Sequence, residues 1–155
     1  MATVDVVKFQ LGDSLYALDI HLAQEIVEML PITPVPRAPP HLAGIVNLRG
    51  EITRIINLNK TLGLEADNTR ENRKIIVLAP EASNGSSVGM IVDDVHSVIQ
   101  AAETEVDRTL SDESYIKGII KSIEKNGPEG DESGDLIIWI DIQRVLQELV
   151  ERNES

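Results

Sequence analysis

Apolar residues fall in short runs along the chain, most of five to eight positions with polar breaks between them, as expected of many short β-strands. "VDVVKFQL" and "LYALDI" flank Gly12-Asp13-Ser14, a turn-like trio, and predict a hairpin. "QEIVEML" follows as a further strand. "PITPVPRAPP" holds five prolines and must be an extended connector, because proline removes the amide donors that a helix needs. "GIVNLRG" and "EITRIINL" predict a second hairpin, turning at Arg49-Gly50. "NLNKTLGL" predicts a short helix with Asn57 as its N-cap and Gly63 closing it. After the polar linker "EADNTRENR" come "KIIVLA", "VGMIVDDV" and "HSVIQA". "YIKGIIKSIE" and "DLIIWIDI" then flank the polar tip "KNGPEGDESG". The chain closes on "DIQRVLQELVER", where Ile142, Val145, Leu146, Leu149 and Val150 fall on one helical face behind Asp141.

The pattern occurs twice. "LAGIVNLRGEITRIINLNKTL" and the stretch from "IKGII" to "LIIWIDIQRVL" both run glycine-isoleucine, strand, turn, apolar strand, short helix. "YALDIHLAQEIV" and "GMIVDDVHSVIQ" take matching earlier positions. Each half holds about five strands, too few residues to stand alone. The expected architecture is mainly β: one domain over 1–155 built from two small five-stranded barrels packed together, with short helices. The first barrel is expected at about 14–66. The second is expected at about 73–141 with the strand at 4–11, and a helix over 141–152 covers the seam.

Composition narrows the function. The 155 residues are 42% apolar but only 3% aromatic, so Val, Ile and Leu must fill the interior. With no cysteine there are neither disulfides nor thiolate metal sites, which fits a reducing cytoplasm. No signal peptide pattern or membrane-length apolar run is expected. A net charge of −12 argues against nucleic acid and anionic lipid as partners.

Catalytic motifs are weak. "GSSVG" at Gly85 to Gly89, followed by Asp93 and His96, matches a nucleophile-elbow pattern. That elbow needs a strand before the serine and a helix after it, whereas Ser87 leads into a strand. His21, His41 and His96 lack zinc-site spacing. Asp93 and Asp94 are adjacent, so strand geometry turns them to opposite faces. "PEGDESGD" lacks the ligand order of a calcium loop. The chain is therefore expected to be no enzyme and to need neither metal nor cofactor.

A double barrel without chemistry points to a binding module, which draws attention to Arg49. It stands at a tight corner between two apolar strands, so its guanidinium must reach water or a carboxylate. Glu25 in "AQEIVEM" supplies one. Such a rim pair contributes only ~0–1 kcal/mol to folding, while its planar fork can be shared with a partner's carboxylate or carbonyl. A plain salt bridge and a docking corner both fit these residues.

The segment "GIVNLRGEITRIINLNKTLGL" resembles the signature of the CheW family of chemotaxis coupling proteins. "YALDIHLAQEI", "VGMIVDDVHSVI", "YIKGII" and "LIIWIDIQRVL" are similar to further blocks of that family, in order, along essentially the whole chain. The resemblance implies two SH3-like barrels around a shared core. It also implies a cytoplasmic, non-catalytic adaptor, monomeric in isolation, that joins the regulatory domain of the histidine kinase CheA to the tips of chemoreceptors within larger arrays. Carried over by motif, Glu25 and Arg49 form the rim salt bridge, and Gly44, Asn47 and Arg49 line the receptor-facing groove. Ile26, Ile32 and Val35 are the apolar edge positions assigned to the kinase. Arg54 stands where the family often has proline, Asn57 where it has aspartate and Ala23 where it has valine. An adaptor of a non-motility phosphorelay, or a double-barrel module binding a small ligand, are the other readings.

Overall fold

The computed structural model describes residues 3–59, 62, 73–83, 85–111, 115–122 and 135–153. Eleven strands and one helix are described: β1 (Thr3–Leu11), β2 (Ser14–Asp19), β3 (Ala23–Glu28), β4 (Leu42–Leu48), β5 (Glu51–Ile56), β6 (Lys74–Leu78), β7 (Val88–Val92), β8 (Asp94–Ala102), β9 (Val106–Asp107), β10 (Ile116–Ser122), β11 (Asp135–Ile140) and α1 (Ile142–Asn153). Most of the expected helix after Asn57, the linker after it and the polar tip before β11 lie outside the described residues.

The strands make two sheets, ordered β8-β1-β2-β11-β10-β9 and β3-β6-β7-β5-β4. Apart from the short β9, the two orders superimpose position by position, and each contains one parallel contact, β2 with β11 and β7 with β5. This is the duplication, with one correction to the expected barrel boundaries. The β1–β2 hairpin of the first half lies in the sheet of β8, β10 and β11. The β6–β7 hairpin of the second half lies in the sheet of β3, β4 and β5. The strand at 4–11 lies where it was expected, but β2 goes with it while β6 and β7 join the other sheet, so the halves have exchanged their leading hairpins and neither 14–66 nor 73–141 is a barrel. The links explain the exchange. Asp93 alone separates β7 from β8, and a hairpin needs about two loop residues to return beside its own strand. At the matching point, one 3-10 turn, Ile20–Leu22, carries β2 onward into β3.

Three clusters fill the molecule. Val6, Ala17, Ala101, Ile120, Ile137 and Trp139 occupy one barrel, and Val46, Ile55, Ile75, Val77 and Ile91 the other. Between them lies a larger cluster including Phe9, Tyr16, Leu18, Ile76, Met90 and Ile140, onto which α1 lays Ile142, Val145, Leu146 and Leu149. Successive residues point to opposite faces of a strand. In β6, Ile75 and Val77 accordingly enter a barrel while Ile76 and Leu78 enter the shared cluster. Burial on both faces is why "KIIVL" and "VGMIV" are unbroken apolar runs. Each large side chain buried this way contributes about 1.5–3 kcal/mol.

Equivalent details recur in both halves. The Asp141 carboxylate accepts the Arg144 N–H at 3.2 Å and so caps α1, as Asn57 Oδ1 accepts the Asn59 N–H at 3.0 Å. The backbone N–H of Asp141 donates to Tyr115 O and that of Asn57 to His41 O, both at 2.7 Å. A glycine sits at the register shift of each matching strand, Gly44 in β4 and Gly118 in β10.

Candidate functional site

Leu48 pairs with Glu51 across the β4–β5 hairpin, leaving Arg49 and Gly50 as a two-residue loop. Both have positive φ, 53° and 86°. Two positive values describe the type I′ turn, whose twist matches that of the flanking strands. Glycine takes this conformation freely. For arginine the left-handed region costs about 1–2 kcal/mol. Asn47 compensates in part, its Oδ1 accepting the Gly50 N–H at 2.8 Å.

From this corner Arg49 Nη2 forms an ion pair with Glu25 Oε1 of β3. Val27, two residues on and on the same strand face, packs into the barrel cluster, so Glu25 sits at the barrel's rim. The side chains are 69% and 28% exposed, so the guanidinium is open to solvent and the carboxylate is half-buried. At that exposure the pair contributes ~0–1 kcal/mol, no more than the turn strain it accompanies. The pair therefore does not offset the strain of the turn that carries it.

The remaining sequence candidates separate. Asn47 is exposed beside the corner, with its side chain committed to the turn. Gly44 is buried, and a Cβ there would lie 2.3 Å from Thr33 O and 2.6 Å from Ile32 Cγ2. Its role is to let the connector cross β4, where Thr33 and Ile45 exchange backbone hydrogen bonds at 2.9 Å. Gly44 therefore lies beneath the connector and does not line an open groove. Ile26 is 43% exposed on β3. Ile32 is half-buried, packing against the barrel cluster with part of its surface left to solvent. Val35 is half-buried, its carbonyl accepting the Ala38 N–H at 3.2 Å.

The elbow pattern does not assemble a catalytic site. The Ser87 and Thr53 hydroxyls share a hydrogen bond at 2.8 Å, and the chain then enters β7. Asp93 accepts the Gly12 N–H at 2.6 Å, and His96 Nε2 lies 3.3 Å from Gln10 Oε1. Among the described residues no group of three or more His, Asp or Glu is placed to hold a metal, and no helix is long and apolar enough to cross a membrane.

One cluster that sequence reasoning missed lies in the other barrel. Trp139 Nε1 donates to Asp19 Oδ1, and Lys117 Nζ reaches Asp19 Oδ2 at 3.0 Å. The Lys117 ammonium and Arg108 guanidinium stand 5.3 and 5.2 Å from the indole centroid, within cation–π range. Arg108 also bonds Glu103 at 2.9 Å. The one tryptophan of the chain was the available signal, but Asp19 lies 120 residues from Trp139 and 98 from Lys117.

Comparison with known proteins completes the description. The family model described as "CheW-like domain" matches residues 5–150. A chemotaxis protein CheW of Thermotoga maritima is 30% identical over 148 residues, covering 94% of this chain and 89% of that protein. One of Treponema pallidum is 34% identical over 125 residues, covering 75% and 72%. The crystal structure of scaffolding protein TtCheW from Thermoanaerobacter tengcongensis superimposes with a TM-score of 0.73 at 31% identity, covering 90% of this chain and 89% of that one.

Proposed function

This chain belongs to the CheW-like domain family, and on that premise we propose that it is a non-catalytic chemotaxis adaptor, coupling chemoreceptor tips to the CheA histidine kinase. The observation that carries the reading is the exposed Glu25–Arg49 pair on a strained two-residue corner. Such a corner offers a rigid turn, a guanidinium with donors to spare and a carboxylate, all without chemistry of their own. A receptor segment meeting this rim exchanges hydrogen bonds with the pair, and Ile26 on the exposed face of β3 serves the kinase's regulatory domain. The protein acts in the cytoplasm, where both partners present their signalling regions.

An adaptor that must respond to receptor state needs interfaces of limited area and modest affinity. The test is calorimetric titration of the purified protein against the CheA regulatory domain from the same genome. Saturable one-to-one binding is expected. Absence of binding with a folded protein would remove the kinase from the scheme.

A further inference from the structure

The chain is strongly acidic, yet its charge is unevenly spread. Residues 29–59 contain three arginines (Arg37, Arg49, Arg54) against a single acid, Glu51, for a net +2. The other 124 residues contain eleven Lys and Arg against twenty-five Asp and Glu, for a net −14. That segment includes the whole β4–β5 hairpin.

The hairpin's two faces differ. Val46, Thr53 and Ile55 turn inward and are buried. On the opposite face the register places Ile45 across from Arg54 and Asn47 across from Ile52. Asn47 and Arg54 are exposed, and Ile52 is 69% exposed, the most open large apolar side chain among the described residues. These four residues form one patch, since alternate residues share a face and cross-strand neighbours touch. It contains no acid. Arg49 is neutralised by Glu25, whereas Arg54 makes no ion pair or side-chain hydrogen bond among the described residues. In a protein of net charge −12, a cation with no ion-pair partner among the described residues, beside an exposed isoleucine, is complementary to something acidic and apolar.

We propose that this outer face, Ile45, Asn47, Ile52 and Arg54, docks an acidic segment of a protein partner. Arg54 receives a carboxylate while Ile52 buries an apolar side chain of the same segment. The inference rests on the adaptor reading and adds the chemistry of one partner's docking segment. It also gives the acidic surface elsewhere a purpose: repulsion disfavours such a segment everywhere but here.

Binding of the full chain to the CheA regulatory domain and to a chemoreceptor cytoplasmic fragment tests it, at low and high salt, with Arg54→Glu, Arg54→Lys and, as a control in the other barrel, Lys121→Glu. For one of the two partners, Arg54→Glu is expected to weaken binding about tenfold, and Arg54→Lys to keep it within about threefold. The salt dependence should shrink in Arg54→Glu, because the screened pair is gone. Lys121→Glu should bind like the parent. Equal binding by Arg54→Glu, for both partners, overturns the proposal and leaves the adaptor reading standing. Failure of the parent protein to bind either partner counts against the adaptor reading. The patch is then read by amide shifts of the full chain titrated with a glutamate- and leucine-rich peptide and its glutamine counterpart. Shifts at Ile45, Asn47, Ile52 and Arg54 with the glutamate peptide only support it; their absence overturns it. A dimer in sedimentation that Arg54→Glu abolishes assigns the face to a second copy of this chain, which also overturns it.

Discussion

The two barrels share a strand plan but close their rims by opposite means. In the barrel of β3 to β7, the rim is tied by Glu25 and Arg49, an exposed pair hung on a strained turn. In the other, Trp139 is nearly buried and holds Asp19, while Lys117 and Arg108 stand against its ring. Lys117 is as exposed as Glu25, at 28%, but Asp19 is 15% exposed against 69% for Arg49, so the pair is screened less by solvent than the Arg49 corner is. The first rim leaves its guanidinium open to solvent, and the second packs its charges against a buried indole. On the proposed function, one duplicated plan has been divided into a docking barrel and an anchoring barrel.

The sharpest contrast is expected where the same glycine does the same job against different neighbours. Gly44→Ala drives a methyl into the Thr33 carbonyl, a backbone atom that cannot swing away, and should cost about 3 kcal/mol or more in denaturant unfolding. Gly118→Ala meets Val106 Cγ1 at 2.5 Å and Asp107 O at 3.2 Å, so the nearest obstacle is a side chain. Its cost should be smaller, about 1–3 kcal/mol. Equal losses would mean that the two crossings are equally rigid.

Next in size are the anchors of the shut rim. Trp139→Phe keeps most of the packing but removes the indole N–H, leaving the half-buried Asp19 short of a donor, for a loss of about 1–2 kcal/mol. Thermal unfolding of Trp139→Phe alongside Asp19→Asn reads this coupling; simple additivity of the two would show that they do not act as a pair.

The smallest effect concerns pH. Burial raises the Tyr16 hydroxyl above its ordinary value of 10.0. Raised in the folded state, it stays neutral after the unfolded chain begins to ionise. Its contribution is therefore fully present below pH 10 and lost as pH rises through the folded value. Unfolding free energy should fall more steeply above pH 10 in the parent than in Tyr16→Phe, and parallel curves would contradict the assignment.

How much of this was legible depends on which property each residue expresses locally. The strands could be read because burial on one or both faces leaves alternation or an unbroken run, as in "KIIVL". The turn at Arg49-Gly50 could be read because two residues between apolar strands permit few geometries. Glu25 could be matched to Arg49 only as a candidate, and the ion pair is present. The strand at 4–11 was assigned to the barrel that holds it, but the rest of the hairpin exchange could not be read, since local sequence specifies strands but not which barrel receives them. It turns on Asp93 being a lone link. The inward packing of Ile32 could not be read for a related reason. A proline-rich connector gives no period by which to tell an inward side chain from an outward one. The burial of Gly44 could not be read either, because it depends on the connector at Ile32 and Thr33 lying across it.

The claim that the open rim exists for binding stands or falls on Arg49→Ala, measured twice on one preparation: unfolding free energy, and affinity for the receptor cytoplasmic fragment. The expected result is stability within about 1 kcal/mol of the parent, because the exposed pair contributes little, together with receptor binding weakened about tenfold or more. A variant that binds the receptor like the parent, or one that unfolds as readily as Gly44→Ala, would make the corner a structural tie and not a docking site.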